Sequence, residues 1–578
     1  MKVFVIGGAG VFGSRVATLL CRDGHQVVLG GRRRAPLQEL AHRLGCEFTI
    51  LDRSDDLTPI TSTGVEIVVD AVGPFHAYGE EQYRIPQYCA EHGLSYMDLA
   101  DDADFVAGVA RLDGAFRRAD RFALSGASSV PGLSAAAVRD IASNMDRIDV
   151  IETAILPGNR APRGYSVIAS ILSQVGGPID LWRGNRWVRS RAWSEPRNYR
   201  LPNGQRRHAR LLRVPDTALF PDRFGARSVL FRAGMELGVL NGGVTVVALL
   251  RRLTGVAPPP WMSRAAHLIA SASHQMGTDE GGMEVSVVGT RDGDMVRDRW
   301  SLFASKGDGP FIPAITVRAL LRRYETIPPG ARPCLGDLML SDAVAAMSDL
   351  SVTQRTTHEM QPTLFREALG ERWRDLPICV RRLHSVQDIE SFTGRAEVIR
   401  GNSLIARFAA FFFRFPKPGR DVALTITKTR TSRGEIWERN FDGRIFRSYL
   451  KPSRRHHYRE RFWVFDYEQE LPVVDGRMSL PVRRGWLIRV PLPRFLLPRS
   501  DSVEYEEDGL FRFDVGLYAP LGGGLIVRYR GSVAPSGDPT PGQAAFAVEG
   551  VDVGDHADQG PTAGPTSAPC RTRNCSGD

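Results

Sequence analysis

The fold is decided by the N-terminal stretch KVFVIGGAGVFG, residues 2–13. Its first half is an apolar run typical of a buried strand, and its second half is a glycine-rich turn that opens a helix. Gly8, Gly10 and Gly13 fit the Gly-x-Gly-x-x-Gly pattern of dinucleotide-binding turns. Gly8 permits the tight turn, Gly10 lets a pyrophosphate approach the backbone, and Gly13 lets the helix pack on the strand. We therefore predict a dinucleotide site here rather than a purely structural turn.

The phosphates of a bound dinucleotide would lie on the free amide groups at the positive end of this first helix. A glycine pattern alone is a weak signal, but this one directly follows a strand and opens a helix, which makes it strong. From this turn we expect the cofactor to contact Gly7, Gly8, Ala9, Gly10, Val11, Phe12 and Gly13.

Around this turn the chain alternates short β-like runs with helical patterns. Such alternation predicts a parallel sheet with helices on both faces, a doubly wound Rossmann domain over about residues 1–140. The runs that we predict as strands are residues 3–6, 26–29, 47–51, 67–72, 95–99 and 121–125.

Cofactor choice depends on the end of the second strand. An NAD site would place Asp or Glu there to bind the ribose 2′-hydroxyl, but no acid occurs between Asp23 and Glu39. Arg32 and Arg33 occur instead, and guanidinium groups bind a 2′-phosphate through charge-assisted hydrogen bonds. We predict NADP(H), with these two arginines as its clamp; the alternative is a solvated helix start. Asp52, after the third strand, is expected to meet the adenine amine.

The fourth predicted strand ends in a loop that faces the crevice outside the strand ends. Its expected cofactor contacts are Ala71, Val72, Gly73 and Pro74. Hydride transfer often also needs a proton donor or acceptor near the reacting carbon. In the same region Tyr78 could donate a proton; the alternative is that its ring only packs against the loop. Asp98 could orient substrate or ribose; the alternative is that it caps a helix or a turn. We predict no metal site.

Ordered motifs in this region resemble the saccharopine dehydrogenase (saccharopine reductase-like) family. They are VDAVGPF at residues 69–75, CAEHG at 89–93, YMDL at 96–99 and GASSVPGLS at 126–134. The resemblance implies a pyridine-nucleotide oxidoreductase, and members of the broad family reduce imines, oxidise saccharopine-type amino acids or reduce lipid double bonds. It extends more weakly to about residue 350, where residues 308–313 and 330–333 look like the family's second domain.

Beyond the predicted Rossmann domain the sequence changes character twice. Residues 141–360 mix strand and helix patterns and predict an α+β substrate domain. Residues 361–533 are dominated by strand-like runs separated by Pro and Gly turns, which predict a β-rich barrel or sandwich. This part resembles an uncharacterised domain found fused behind dehydrogenase-like halves. The tail, residues 534–578, has the composition of a disordered segment.

Two segments of the β-rich part allow a functional and a structural interpretation. FAAFFFRFP, residues 408–416, could be an interfacial lipid-binding helix, but a buried core helix is favoured. RRHHYRERFW, residues 454–463, could bind nucleic acid, but a strand with a charged face is favoured.

Charge and composition indicate which partners and which cellular location to expect. The chain has 578 residues and a formal net charge of +10, which favours anionic partners such as phosphorylated cofactors. No signal peptide and no long uncharged apolar stretch is visible in the sequence, so we expect a cytoplasmic protein. The expected partner is a small-molecule substrate. The sequence leaves open a peripheral membrane or lipid contact and a homodimer. Nucleic acid is not expected.

Together these observations predict an NADP(H)-dependent oxidoreductase that transfers hydride to or from an imine, amino-acid-like or lipid-like substrate. The alternative is a non-catalytic NADP(H)-binding protein whose C-terminal β domain is a ligand- or lipid-binding module. The alternative is favoured by the lack of an unambiguous acid or base in the sequence.

Overall fold

A computed structural model describes residues 1–162, 164–431 and 433–536. The first stretch alternates strands and helices as its hydrophobic pattern predicts. Its elements are β1 Lys2–Ile6, α1 Val11–Arg22, β2 Gln26–Gly31, α2 Arg34–Leu44, β3 Glu47–Ile50, α3 Thr58–Thr61, β4 Ile67–Asp70, α4 Arg84–Glu91, β5 Ser95–Asp98, α5 Ala103–Gly108, α6 Asp113–Arg118, β6 Phe122–Ser125 and α7 Ser134–Ile141.

The second stretch mixes long antiparallel strands with helices. Its elements are β7 Arg147–Leu156, α8 Tyr165–Gln174, β8 Pro178–Trp182, β9 Trp187–Arg191, β10 Arg197–Arg200, β11 Arg206–Leu211, α9 Pro215–Phe224, β12 Ser228–Ala233, α10 Gly238–Thr254, α11 Pro260–Ala272, β13 Gly281–Arg291, β14 Asp294–Ala304, α12 Ile312–Leu321, β15 Gly330–Pro333, α13 Leu340–Ala346 and β16 Val352–Met360.

The third stretch is dominated by strands. Its elements are α14 Leu364–Leu369, α15 Ile378–Leu383, β17 Ile389–Arg400, α16 Leu404–Phe412, β18 Gly419–Thr431, β19 Gly434–Phe441, β20 Arg444–Pro452, β21 His457–Phe462, β22 Phe465–Glu470, β23 Val473–Val474, β24 Arg477–Ser479, β25 Val482–Leu487, β26 Val490–Pro491, β27 Arg499–Glu507, β28 Leu510–Tyr518 and β29 Leu525–Pro535. The tail was predicted to be disordered from residue 534, but residues 534 and 535 pair with β17 as the end of β29. Residues 537–578 of the predicted tail lie outside the described residues.

The first sheet is parallel and has the strand order β15-β6-β5-β4-β1-β2-β3. Alternate residues of β1 are buried in two different clusters, because both faces of a doubly wound sheet are covered by helices. Val3 and Val5 pack into one cluster, and Phe4 and Ile6 pack into the other. The predicted Rossmann architecture is confirmed, with β1 at the point where the strand order reverses.

One expectation about the second domain needs correction. Gly330–Pro333 was assigned to that domain, but it pairs in parallel with β6 and forms the seventh strand of the first sheet. The preceding helix α12 packs on α1, and one arginine of α12 and the arginine that follows it bind Asp23 at the end of α1. Arg318 and Arg322 approach the Asp23 carboxylate to 2.7 and 2.9 Å. The chain therefore returns to the first sheet after building the second.

The second sheet is mixed, with the order β10-β11-β12-β7-β13-β14-β16. Strand β7 lies at its centre, parallel to β12 and antiparallel to β13. The core cluster on one face of the first sheet continues into this sheet through residues such as Ile151, Val229 and Val285. The α+β expectation is therefore confirmed, and one continuous core supports both sheets.

The third sheet is antiparallel and has thirteen strands, in the order β23-β24-β27-β28-β29-β17-β18-β19-β20-β21-β22-β25-β26. It has a core cluster of its own, rich in aromatic side chains. Buried ion pairs join it to the second stretch: Arg183 lies 2.5 Å from Asp388, and Arg227 lies 2.7 Å from Glu390.

The structure distinguishes between the two interpretations of each ambiguous segment of the β-rich part. The basic and aromatic segment contains strand β21, in agreement with the favoured interpretation. The favoured interpretation of residues 408–416 as a buried core helix is wrong for α16. Phe408 and Phe411 of this helix are 70% and 81% exposed, and only two small residues, Ala406 and Ala410, are fully buried. None of the helices among the described residues is long and apolar enough to span a bilayer.

The pH dependence of stability can be tested at Asp216 of α9. Its side chain is fully buried, and one carboxylate oxygen accepts a hydrogen bond from the Thr153 hydroxyl at 3.0 Å. Burial raises the pKa of this carboxyl to about 7, against a partly compensating effect of neighbouring hydroxyls. An Asp in an unfolded chain has a pKa of about 3.9, so the folded protein binds more protons between these values.

We expect Asp216 to lower the free energy of unfolding as the pH rises from about 4 to about 7, by at most about 1.4 kcal/mol per pH unit. Asp216→Asn cannot titrate and should remove this contribution, so the variant should gain stability relative to the parent at neutral pH. Urea unfolding of both proteins across this range measures the difference. A difference that does not change with pH would contradict the prediction.

Candidate functional site

The glycine-rich turn joins β1 to α1 and leaves the start of the helix uncapped. Gly10 precedes the helix in an extended conformation and provides no side-chain cap. Its amide donates to the Gly7 carbonyl at 2.8 Å, which closes the turn. The first amide groups of a helix have no partner within the helix, so this uncapped end is suited to bind an anion.

Backbone packing explains why glycines occupy this turn. Gly7 has a φ of +73°, a region that side chains other than hydrogen disfavour. A Cβ on Gly10 would lie 2.9 Å from the Gly7 carbonyl oxygen, and one on Gly13 would overlap that oxygen outright. The turn thus forms a cradle that side chains would fill, which fits a pyrophosphate.

The β4 loop forms the other side of the crevice, as predicted. The Ala71 amide donates to the Ile6 carbonyl at 3.0 Å, which holds the loop beside the glycine turn. The Asp70 carboxylate accepts the Val72 amide at 3.0 Å. Burial raises the pKa of Asp70 to about 7. Ala71 and Val72 therefore lie beside Gly7, where the predicted cofactor contacts would have to be.

Arg32 and Arg33 lie directly after β2, beside the glycine turn. The Arg32 side chain is 78% exposed and approaches Asp52 only to 3.9 Å. Arg33 is exposed and immediately precedes α2. Asp52 also accepts the Ser54 amide at 3.1 Å, so it is partly occupied in shaping its own turn. The positions match those expected for a 2′-phosphate clamp, and the clamp itself remains a prediction.

Asp98 lies at the end of β5 but faces inward. It is fully buried, and one carboxylate oxygen accepts the amides of Ala100 at 3.0 Å and Gly126 at 2.7 Å. Burial raises its pKa to about 6, although these amides favour the charged form. This geometry makes Asp98 a positioning residue for the loop that follows β6. A direct catalytic role for it remains a prediction.

Tyr78 is similarly engaged with the protein. Its hydroxyl donates to the Val72 carbonyl, and the Arg53 guanidinium lies 3.3 Å from the centre of its ring. Burial raises the pKa of this phenol well above its ordinary value. Tyr78 thus braces the β4 loop in the structure, and its predicted role as a proton donor would require this hydrogen bond to break.

A cavity of about 300 Å³, which we call the crevice cavity, lies between the strand ends of the first sheet and the second sheet. Gly73 and Pro74 line one side, and Ile155, Met283 and Leu302 line the other. Its size is at the lower end of small-molecule sites, about 300–1,000 Å³. The lining is mostly apolar; its polar side chains are Asp101, Ser128, Ser129, Ser166, Ser170, Gln174, Arg213 and Asp279.

Among these polar groups, the serines of α8 were missed by sequence reasoning. Ser166 lies so close to the β4 loop that a Cβ on Gly73 would be 3.3 Å from it. The α8 segment carries no motif, so its approach to the crevice has no signal in the sequence. Asp101 did have one, because it lies two residues after the YMDL motif ends. Burial raises the pKa of Asp101, and a hydrogen bond from Ser170 opposes this shift.

Comparison with known families identifies two regions of the chain. Residues 3–121 match the saccharopine dehydrogenase NADP binding domain, and residues 376–533 match a domain of unknown function, DUF4166. These matches confirm both resemblances noted in the sequence. The first of them assigns a nicotinamide nucleotide as the cofactor class of the N-terminal domain.

Individual relatives are distant in sequence. An uncharacterized oxidoreductase of Staphylococcus aureus strain USA300 is 26% identical over 186 residues, which cover 27% of this chain and 77% of that protein. Saccharopine dehydrogenase (L-Glu forming) from Saccharomyces cerevisiae is 11% identical, with a TM-score of 0.45, over 62% of this chain and 99% of that one. A probable dehydrogenase from Thermotoga maritima is 10% identical, with a TM-score of 0.32, over 60% and 93%. None of these similarities identifies a substrate.

The role of the glycine turn in cofactor binding can be tested by adding one methyl group to Gly13. Gly13→Ala places a Cβ against the Gly7 carbonyl, so α1 must move away from the turn. We expect lower thermal stability and at least about tenfold weaker NADPH binding, measured by calorimetry. Gly242→Ala is the matched control, because Gly242 also lies within a helix but a Cβ there meets nothing within 4 Å. Equal nucleotide affinity in the two variants would show that the turn does not hold the cofactor.

Proposed function

We propose that the protein, whose N-terminal domain matches a dehydrogenase NADP binding domain, is an NADP(H)-dependent oxidoreductase. Its substrate would be an apolar imine or a lipid-like molecule bound in the crevice cavity. The observation that carries this proposal is the arrangement of three features at one sheet edge. An uncapped glycine cradle, an exposed arginine pair and a substrate-sized cavity all lie at the carboxyl ends of the parallel strands.

Different residues would bind different parts of the cofactor. Amide groups at the start of α1 would bind the pyrophosphate, and Arg32 with Arg33 would bind the 2′-phosphate. Asp52 is close enough to Arg32 to orient its guanidinium, at 3.9 Å. When bound, the nicotinamide supplies or accepts the hydride. The loop residues Gly73 and Pro74, which line the crevice cavity, would separate that ring from solvent.

The lining of the crevice cavity favours an apolar substrate over an amino-diacid. A substrate carboxylate would need an available cation, but Arg213 is bound to Asp104 at 2.8 Å. The apolar lining, from residues such as Phe12 and Phe231, would bury hydrocarbon or aromatic groups instead. This supports a lipid-like or apolar imine substrate among the classes that the family resemblance implies.

Asp101 is the residue that we assign as proton donor. It lines the crevice cavity, and burial raises its pKa, so it retains its proton at higher pH than an ordinary carboxyl. Proton transfer from a carboxylic acid beside the reacting carbon would complete the reduction of an imine or an activated double bond. Ser170 of α8 can orient the acid through its hydroxyl.

A non-catalytic NADP(H)-binding protein is the second candidate. One observation favours it: the Tyr78 hydroxyl and one carboxylate oxygen of Asp98 are both engaged in holding loops. Steady NADPH consumption with any imine, amino-acid or enoyl substrate of a test panel would support the oxidoreductase. Tight NADPH binding without consumption across the panel would support the second candidate.

Cofactor choice is tested by charge reversal. In Arg32→Glu/Arg33→Glu the carboxylates would repel a 2′-phosphate, so NADPH should bind at least about a hundredfold more weakly while NADH affinity changes little. Arg34→Glu is the control, because the Arg34 guanidinium lies near the Phe48 ring, 5.9 Å from its centre. Fluorescence titration measures both affinities. Equal affinity of the parent for NADPH and NADH would refute the assignment.

The role of Asp101 is tested by Asp101→Asn, which keeps the shape of the side chain but cannot release a proton. We expect turnover of a panel substrate to fall by about a hundredfold or more, with NADPH affinity unchanged. In the parent, turnover should fall as the pH rises through the raised pKa, because only the protonated acid donates. A variant that keeps the parent's turnover and pH profile would exclude Asp101 as the donor.

A further inference from the structure

The β-rich part encloses a second cavity, of about 470 Å³, which we call the β-domain cavity. Strands from distant positions in the sheet order line it together, so the sheet curves around it. Its wall is strongly aromatic, and the volume lies well within the range of small-molecule sites, about 300–1,000 Å³. The aromatic lining includes Phe413, Phe415, Trp437, Phe441, Phe465, Phe511 and Phe513.

One end of the β-domain cavity reaches the surface beside helix α16. Phe408 and Phe412 line the cavity, yet they are 70% and 36% exposed. Trp463 is also exposed, and its ring lies 4.9 Å from that of Phe412. Leu496 lines the cavity from the segment opposite. Large apolar side chains exposed together at a cavity entrance mark a binding surface rather than ordinary exterior.

The other end of the β-domain cavity is polar. Arg439 lies 3.3 Å from Glu460, which also accepts a hydrogen bond from Gln469 at 2.8 Å. The Tyr458 hydroxyl donates to Gln469 at 2.8 Å. Glu504, the other acid of the lining, lies 2.6 Å from a ring nitrogen of His384. Buried charges are costly, and replacing them with apolar groups is often neutral or stabilising, so stability alone does not account for this cluster.

The charge balance of this polar end discriminates between ligand classes. Arg439 is the cation among the described lining residues, and Glu460 already neutralises it. A ligand carboxylate would therefore meet no unpaired cation among these lining residues and would lie near two acids. Lys428, which is buried behind Trp437, does not line the cavity and donates to the Leu383 carbonyl at 2.6 Å. A hydroxyl or carbonyl group can instead join the hydrogen-bond network without bringing a further charge into a low-dielectric site.

The entrance of the β-domain cavity is basic as well as apolar. Its two segments, residues 404–420 and 482–500, contain no Asp or Glu. Their basic residues are Arg407, Arg414, Lys417, Arg420, Arg483, Arg484, Arg489, Arg494 and Arg499. Two of these, Arg483 and Arg484, are paired with Glu470 and Glu468 of β22, and the others supply the basic charge of the entrance. Exposed aromatic side chains flanked by basic ones are complementary to an anionic bilayer surface, where apolar groups enter and cations meet lipid headgroups.

We propose that the β-domain cavity binds an uncharged amphiphile, such as a long-chain or polyene alcohol, which enters from an anionic bilayer. The ligand's hydroxyl or carbonyl group lies at the Arg439–Glu460 end, and its hydrocarbon lies along the aromatic wall. Helix α16 and the segment opposite dock on the bilayer. This site is separate from the crevice cavity and does not depend on the proposed oxidoreductase activity.

The ligand class is tested with retinol, a fluorescent polyene alcohol, and with retinoic acid, its charged analogue. Titration of the full-length protein without nicotinamide cofactor is followed by quenching of tryptophan fluorescence, to which Trp437 of the cavity lining contributes as one of nine tryptophans. We expect retinol to bind at least about tenfold more tightly than retinoic acid. Equal or tighter binding of the acid would overturn the assigned ligand class, and failure of retinol to bind would overturn the site.

The location of the site is tested with Ala409→Phe, which adds a ring within the entrance. Ala409 lines the β-domain cavity from α16, and this substitution removes no charged group. Retinol affinity should fall by about tenfold or more, with NADPH affinity unchanged. Ala345→Phe, at an exposed position of α13, is the matched control and should bind retinol as the parent does. Equal retinol affinity in the two variants would overturn the location.

Bilayer docking is tested by co-sedimentation with vesicles of phosphatidylcholine alone and of equimolar phosphatidylcholine and phosphatidylglycerol. We expect binding to the anionic vesicles, weakened by salt, and loss of that binding in Leu404→Ser/Phe411→Ser, which removes two exposed side chains of α16. Ile378→Ser/Val474→Ser, at similarly exposed positions outside the cavity lining, is the control. Equal binding of the parent to both vesicles, or of both variants to the anionic ones, would overturn docking through this entrance.

Discussion

The close approach of helix α1 to the Gly7 carbonyl is the constraint on which the nucleotide-binding half depends. It requires glycine at the crossing point, and it brings the uncapped start of the helix to the strand ends. The β4 loop then packs beside the same turn, held by the Ala71 amide and by the hydrogen bond from Tyr78 to Val72. The crevice is thus built from backbone groups, and side chains such as Asp98 serve mainly to hold those groups in place.

Much of this half could be predicted, because its information is local. Strands β1 to β6 follow apolar runs of the expected length, and the glycine turn encodes its own geometry. Helix boundaries depend less on local sequence: residues 103–118 contain two helices, α5 and α6, which are separated beyond Gly108. At Gly108 a Cβ would collide with the Tyr83 hydroxyl, a contact between distant segments that no local pattern reveals.

Features that depend on long-range packing could not be predicted. The serines of α8 reach the crevice only because the second sheet lies over it. The exposure of α16 was missed for a related reason: the amphipathic pattern of Leu404, Phe408 and Phe411 fits a helix against a core or against a bilayer equally well. The charged cluster at the polar end of the β-domain cavity includes Arg439 of β19 and Glu460 of β21, and their pairing depends on sheet order.

The return of β15 to the first sheet has a consequence for how the chain folds. Strand β6 pairs with β15, which is synthesised about two hundred residues later. Until then β6 presents an unpaired edge, and unpaired edges promote association between chains. The nucleotide-binding half therefore cannot complete its sheet during synthesis until the intervening sheet has been made. A fragment ending near residue 140 would leave this edge of β6 open.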